Sequence, residues 1–310
     1  MGETLYAKHN ILWTGDGFLN LRRTDLALEA QELWCAAEKD AEGAKVIRRR
    51  KGALRAEEVQ LTEGPLARAI GKPPGRYVSV DLRRAKLVRE EDFDCAATLL
   101  AAELRRLMGR GGGSTLVVGL GNADMTPDAV GPLALRHVLP TRHLKDLSIF
   151  PSLAEVSVLE PGVLGRTGIE AAEIVRGTVE RTKPRRVIVI DALATASLER
   201  LCTTVQLTDV GIVPGSGVGN ARRAFDRKVL GVPVYAVGVP TVVDAATIVR
   251  DAAEEAGAAD AAMPETFSSV MVTPREIDAE VRTLSRLVGF GVSLALQRQL
   301  TLSDLRALGV

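Results

Sequence analysis

The segment TLVVGLGNADMTPDAVGP, residues 115–132, decides the fold of this 310-residue chain. Its apolar run, residues 116–118, predicts a buried strand, and Gly119 and Gly121 then allow the chain to turn sharply. Asp128 follows in the loop, just before a predicted helix. Because the loop at the carboxyl end of a strand in an open α/β sheet commonly carries the chemistry, we expect a functional site beside Asp128.

A second segment, RRVIVIDALA at residues 185–194, repeats this arrangement and predicts a strand with Asp191 at its carboxyl end, followed by a helix over residues 192–200. Helix capping and bonds to backbone amides could explain Asp128 and Asp191 without any catalysis. If the two carboxyl groups lie together, however, one retains its proton as an acid and the other activates water as a base. Such a pair is suited to amide hydrolysis and needs neither histidine, cysteine nor metal.

Alternating strand and helix patterns from residue 92 to about 256 predict an α/β fold with a mainly parallel sheet flanked by helices. Residues 45–82 predict strands, which would form an additional, smaller N-terminal β-containing part. Residues 167–170 have the spacing of a helix-capping box. The last long helix is expected to be interrupted near Gly289 and Gly291.

The composition excludes several classes of function. Forty basic and 39 acidic residues give a net charge of +1, which argues against a broad nucleic-acid surface or attraction to membranes. No apolar segment is long enough for a bilayer span, and the N-terminus lacks a signal-peptide pattern, so we expect a cytoplasmic protein. Three cysteines without close spacing (Cys35, Cys95, Cys202) and only three histidines predict neither a disulfide framework nor a metal site, and no cofactor is expected.

Two other motifs compete with the aspartate pair. Gly119 and Gly121 form half of a dinucleotide fingerprint, but Asp124 occupies the third glycine position and would repel a pyrophosphate. Ser216 lies in a PGSG sequence that lacks the glycine two residues before the serine of a nucleophile elbow, and no histidine is near in sequence. The glycine-rich loop is better interpreted as the lining of a cleft.

Several separate blocks of the sequence resemble the germination protease (spore protease) family over about residues 21–300. The blocks are RRTDLALEA, PGRYVSVDL, GLGNADMTPDAVGP, EPGVLGRTGIEAAEIV, IVIDALATASLERLCTTVQLTDVGIVPGSGVGN, LGVPVYAVGVPTVVDA and VMVTPREID. The resemblance implies an endopeptidase that degrades small acid-soluble spore proteins during germination, in the cytoplasm of the forespore and spore core. It also implies a homotetramer, a fold like that of the hydrogenase-maturation proteases, and catalytic roles for Asp128 and Asp191.

The same resemblance implies a zymogen that processes itself. RRTDLALEA matches the processing region of the family, which places the cut between Asp25 and Leu26. Residues 1–25 would then be a propeptide and residues 26–310 a single α/β peptidase domain. The segment before the cut is longer than is usual in the family, and the loose region at residues 257–269 is shorter. We therefore expect processing and its regulation to differ from the family pattern more than catalysis does.

The glycine-rich loop and the loop after the central strand are expected to line the substrate cleft, because their glycines let a peptide backbone approach closely. The residues concerned are Asn122, Gly215, Ser216, Gly217 and Asn220. Two rival functions remain open on the sequence alone. One is a metal-assisted maturation-type peptidase on the same fold, which chelator sensitivity would reveal, and the other is a non-catalytic relative that binds spore proteins.

Overall fold

The computed structural model describes residues 11–14, 17–20, 24–27, 29, 43–144, 153–216, 222–257, 267 and 270–310. The strands are β1 (Ile11–Thr14), β2 (Gly17–Asn20), β3 (Ala44–Lys51), β4 (Leu54–Leu61), β5 (Gly75–Asp81), β6 (Thr115–Gly119), β7 (Val156–Leu159), β8 (Arg186–Thr195), β9 (Thr204–Thr208), β10 (Val234–Asp244) and β11 (Met271–Val272). The α-helices are α1 (Pro65–Ala69), α2 (Glu90–Met108), α3 (Val130–Leu135), α4 (Leu164–Thr167), α5 (Ala171–Thr182), α6 (Arg227–Leu230), α7 (Ala245–Glu255), α8 (Ile277–Leu296) and α9 (Leu302–Ala307). Single 3₁₀ turns lie at Thr126–Asp128, Arg142–Leu144 and Leu198–Arg200.

Nine of these strands form one mixed sheet in the order β3-β4-β5-β9-β10-β8-β6-β7, with β11 pairing the end of β10. Pairing is parallel from β10 through β8 and β6 to β7, and antiparallel from β10 through β9, β5 and β4 to β3. The expectation of a mainly parallel sheet is therefore wrong. Residues 196–203 connect β8 to β9 without a crossover helix, and so short a connection returns the chain in the opposite direction.

The strands predicted in residues 45–82 are confirmed as β3, β4 and β5. They continue the central sheet through the pairing of β5 with β9, in which Ser79 lies opposite Gln206. The smaller hairpin of β1 and β2 is a separate two-stranded sheet. The N-terminal β residues thus supply three of the nine strands of the sheet that carries the site.

The parallel half of the sheet is buried on both faces. Val117 and Ile188 pack into a core with helices α2 and α8, whereas Leu116 and Val187 pack into a second core with α5. Side chains alternate between the two faces along a strand. Asp191, two residues after Val189, therefore lies on the same face of β8 as Val189, which is the face that packs against α5.

The expected break in the last long helix is wrong, because α8 is continuous over Ile277–Leu296. A Cβ at Gly289 would lie 2.5 Å from the carbonyl oxygen of Ala134, and one at Gly291 would lie 2.5 Å from Leu100 Cδ2. The two glycines let α8 pack closely against its neighbours instead of ending it. No helix in the described part of the chain combines the length and apolarity needed to cross a bilayer.

The predicted capping box at residues 167–170 is also wrong. Thr167 is the last residue of α4, and Gly168 follows with φ 71°. The Thr167 hydroxyl accepts a hydrogen bond from the Ile169 amide at 3.2 Å, while Glu170, the N-cap residue of α5, makes no side-chain capping bond. The Thr167 hydroxyl thus stabilises a local turn and does not cap α5.

Candidate active site

Asp191 lies in the middle of β8, at the point where one neighbouring strand ends. The expected helix after residue 191 is wrong, since β8 continues to Thr195 by pairing with β10. On its other side, pairing with β6 stops at Ile190, whose carbonyl oxygen accepts the Leu120 amide at 2.8 Å. Asp191 is therefore the first residue of β8 that has no partner on β6, and the loop after β6 begins beside it.

The loop after β6 turns back so that Asp128 is bound by its own backbone. Gly121 has φ +108°, and a Cβ there would lie 1.9 Å from the carbonyl oxygen of Asp128, so only glycine fits. The Asn122 amide donates a hydrogen bond to Asp128 Oδ2 at 2.8 Å. From β10, the hydroxyl of the fully buried Thr241 donates to the Pro127 carbonyl at 2.7 Å. These contacts fix the loop on both sides of the Asp128 carboxylate.

The two carboxyl groups belong to one electrostatic site. Burial raises the pKa of Asp191 well above its usual range, and the charges of Asp128 and then Asp25 raise this pKa further. Among the described residues, one hydrogen bond, from the Ala192 amide at 3.0 Å, favours the ionised form of Asp191. Burial also raises the pKa of Asp128, but the bond from the Asn122 amide opposes that shift. Asp191, which is 4% exposed, is thus the member of the pair that retains its proton more readily.

The described residues of the segment 24–29, here called the processing segment, lie against the end of β8. The Asp25 amide donates to the Ala194 carbonyl at 3.0 Å, and the Ala194 amide donates back to Asp25 Oδ2 at 2.9 Å. The Ser216 hydroxyl donates to Asp25 Oδ1 at 2.7 Å. The Leu26 side chain is completely buried. Of the two residues predicted to flank the cut, Asp25 is therefore held by hydrogen bonds at the cleft and Leu26 by burial of its side chain.

Glu29 holds the far end of the processing segment. This residue is buried, and its carboxylate accepts the Ala196 amide at 2.8 Å and the hydroxyls of Thr24 and Thr195. The Arg200 guanidinium lies 3.6 Å from the same carboxylate. Both ends of the processing segment are thus tied to residues 194–200.

The carbonyl oxygen between Asp25 and Leu26 accepts two hydrogen bonds from side chains. Lys72 Nζ lies 3.0 Å from it, and Gln206 Nε2 lies 3.2 Å from it. The Gln206 Oε1 atom accepts the Ala27 amide at 2.7 Å, which orients the amide group. The predicted cleavage bond therefore has its carbonyl oxygen facing two donors.

A cleft of about 270 Å³ adjoins the processing segment. Asp25, Lys72, Gln206 and Ser216 contribute to its lining, as do the apolar side chains Ile70, Tyr77, Leu193 and Val213. Asp128 and Asp191 do not line this cleft. Asp25 connects the two regions, because it lines the cleft and its charge also raises the pKa of Asp191.

The residues expected to line the cleft have different positions. Ser216 faces Asp25, and Gly215, with φ +72°, precedes it in the same loop. Asn122 holds Asp128 through its backbone, while its side-chain oxygen accepts the Asp124 amide at 3.1 Å. The remaining two expected residues, Gly217 and Asn220, lie outside the described residues. Within the described part of the chain, no three His, Cys, Asp or Glu side chains are grouped to hold a metal ion.

Sequence reasoning missed Lys72, Gln206 and Thr241. Lys72 lies 47 residues from Asp25, and Gln206 lies 181 residues from it. No local motif marks such partners, because they come from separate parts of the chain: Gln206 from β9, Lys72 from the residues between α1 and β5, and Asp25 from the segment before β3. A buried strand position occupied by Gln206 was the one signal in the sequence that could have indicated a polar role.

Comparison with known proteins points to one family. The sequence model of the family described as germination protease matches residues 21–255. A germination protease of Caldanaerobacter subterraneus subsp. tengcongensis is 38% identical over 322 aligned positions, covering 92% of this chain and 97% of that protein. One of Clostridium acetobutylicum is 36% identical and covers 93% of this chain and 98% of its own length. One of a Geobacillus species is 44% identical over 74% of this chain and 65% of its own.

Proposed function

This chain belongs to the germination protease family and is a protease, and from that premise we propose that it is an aspartate-dependent endopeptidase made as a self-processing zymogen. Its substrates in this proposal are the small acid-soluble spore proteins, degraded during germination in the forespore and spore core. The observation that carries the proposal is the shared electrostatic site of Asp128 and Asp191, together with the binding of Asp25 to Ala194, three residues along β8 from Asp191.

The chemistry follows from the different surroundings of the two carboxyl groups. Asp191 is buried and keeps its proton, so it is the acid that protonates the leaving amine. Asp128 is less buried, and the hydrogen bond from the Asn122 amide opposes the rise that burial causes in its pKa, so it loses its proton more readily than Asp191 and is the base that takes a proton from water. The pair titrates as a unit, and its two apparent pKa values belong to both residues together.

Self-processing accounts for the position of the processing segment. Residues 1–25 would be removed as a propeptide, and residues 26–310 would remain as a single α/β peptidase domain. Full burial of a leucine side chain contributes about 1.5–3 kcal/mol, and Leu26 is wholly buried. This burial and the two bonds between Asp25 and Ala194 support a segment that is already bound to its own chain before the cut.

The remaining features are part of the same proposal. A homotetramer and a fold related to the hydrogenase-maturation proteases are expected from membership of the family. The parallel half of the sheet, β10-β8-β6-β7, with helices on both faces, is the part to compare with those proteases. Size-exclusion chromatography with light scattering would measure the mass of the assembly directly.

The test uses the full-length chain and its intact mass as a function of time. We expect the wild type to yield a fragment that begins at Leu26 and to cut an added small acid-soluble spore protein. Asp128→Asn and Asp191→Asn should remain full length and inactive while retaining the far-UV circular dichroism of the wild type. Asp124→Asn is the matched control, because its carboxylate lies in the same loop but is exposed and paired with Arg166. Processing by Asp191→Asn, or sensitivity of the wild type to chelators, would contradict the proposal.

A further inference from the structure

We infer that Lys72 and Gln206 form the oxyanion-binding site for cleavage of the Asp25–Leu26 bond, an inference that rests on the proposed self-processing. Both side chains donate to the carbonyl oxygen of that bond, at 3.0 Å and 3.2 Å. Donors at about these distances from the oxygen that becomes negative are what acyl-transfer sites require. Asp128 and Asp191 supply the proton transfers, but neither of them contacts this oxygen through a described hydrogen bond.

The two donors are held in place before any reaction. Lys72 follows α1, and its amide donates to the Ala67 carbonyl at 3.2 Å. Gln206 lies within β9, between β10 and β5, and the Ala27 amide fixes the orientation of its side chain. Because strand pairing and backbone contacts position them, the donors need not reorganise as charge develops on the oxygen.

Lys72 does not act simply as the counter-ion of the Asp25 carboxylate. That carboxylate accepts its described hydrogen bonds from Ala194 and Ser216, whereas the lysine donates to the backbone carbonyl. Part of the residue is exposed, but protein surrounds its ammonium group. This burial lowers the pKa of Lys72 overall, and the charges of Asp25 and Glu29 oppose that shift and favour the ammonium form. A positive charge in such surroundings acts more strongly on a nearby oxyanion than it would in water.

The step balances with one water molecule. The water oxygen bonds to the Asp25 carbonyl carbon as its proton passes to Asp128, and the carbonyl electron pair moves to the oxygen facing Lys72 and Gln206. The bond from that carbon to the Leu26 nitrogen then breaks, the nitrogen takes a proton from Asp191, and the carbonyl re-forms. Asp25 ends with a new carboxylic acid, which loses its proton to solvent, and Leu26 ends with a free amine. Transfer of a proton from Asp128 to Asp191 restores the pair.

The test measures the first-order rate constant of self-cleavage in full-length chains that carry single substitutions. Lys72→Met should cleave at the same bond about 10²–10³-fold more slowly than the wild type, as expected when one oxyanion donor is removed. Lys72→Arg keeps the charge and should retain much more of the rate. Lys86→Met, the same substitution at an exposed lysine, is the matched control and should equal the wild type.

Chemical rescue separates stabilisation of the oxyanion from a purely structural role. Lys72→Ala should cleave slowly and regain rate when ethylammonium is added, whereas tetramethylammonium, which has no N–H to donate, should leave it slow. Since this comparison uses one protein with two cations, it holds even if Lys72→Met fails to fold. A Lys72→Met chain that cleaves as fast as the wild type, or a Lys72→Ala chain indifferent to ethylammonium, overturns the inference. A wild type that does not cut between Asp25 and Leu26 overturns the proposed function instead.

Discussion

Replacing Asp191 by asparagine should make the protein more stable at neutral and alkaline pH while it abolishes activity. The buried carboxyl group has a pKa raised by burial and by the charges of Asp128 and Asp25. Asparagine has nearly the same shape, cannot ionise, and can still accept the Ala192 amide through Oδ1. The cleanest comparison is Asp128→Asn with the double variant Asp128→Asn/Asp191→Asn, because we expect both proteins to remain unprocessed.

The sign follows from the unfolded and folded pKa values of Asp191. Below the unfolded value, about 3.9, the group is protonated in both states and does not affect the pH dependence. As the pH rises above that value, only the unfolded state ionises, and the free energy of unfolding falls until the pH passes the folded pKa. The loss is about 1.4 kcal/mol per pH unit in this window, which corresponds to roughly 2 °C in melting temperature for a chain of this size.

The assay is thermal unfolding of both proteins by circular dichroism at a series of pH values at constant ionic strength. We expect the melting temperatures to lie close together near the unfolded pKa and the double variant to gain steadily as the pH rises. In Asp128→Asn one of the three causes of the raised pKa is absent, but burial, the largest, remains. A difference in melting temperature that does not change with pH would refute the reasoning, because Asp191 would then titrate alike in both states.

Three further predictions concern the loop and the processing segment. Gly131→Ala should destabilise the protein by about 1–3 kcal/mol, because its Cβ would lie 2.2 Å from the Leu120 carbonyl oxygen. Gly177→Ala is the control: its Cβ would have open space, so the substitution should stabilise α5 by about 0.5–1 kcal/mol in the same unfolding assay. Thr241→Val leaves the Pro127 carbonyl without its donor and should cost about 1–3 kcal/mol and slow self-cleavage; an unchanged cleavage rate would show that this anchor does not position the loop. The processing segment is bound to its own chain, so the rate constant of self-cleavage should not depend on protein concentration, and a rate that rises with concentration would indicate cutting between molecules.

The pattern of apolar residues predicted most of the individual elements. The strand before Gly119 is β6, the strand in residues 45–82 that precedes Leu82 is β5, and the Ala- and Leu-rich helix ending at Met108 is α2. These segments have a clear period of two or 3.6, which local sequence alone can specify. The break predicted within α8 is wrong. Glycine has a low helix propensity, but Gly289 and Gly291 allow α8 to pack closely against its neighbours, and this packing keeps the helix continuous.

The candidate site was predictable only in part. The position of Asp128 and Asp191 after apolar strands singled them out, and family blocks singled out Asp25 and Leu26. The sequence did not indicate that Lys72 would face the carbonyl oxygen of Asp25, since its partner is 47 residues away and the contact crosses between separate elements. Long-range polar contacts of this kind leave no periodic trace in the chain.

The amino-acid order by itself determined most of the strands and helices, and which acidic residues follow apolar strand segments, because each of these depends on neighbours a few residues apart. Tertiary structure alone decided that the sheet is mixed, that β8 continues past Asp191 while β6 stops beside it, and that the processing segment is bound at the end of β8. The physical reason is that strand pairing and burial are settled by competition among all segments of the chain at once. The pKa of Asp191 depends on that outcome, since burial and two distant carboxylates raise it together.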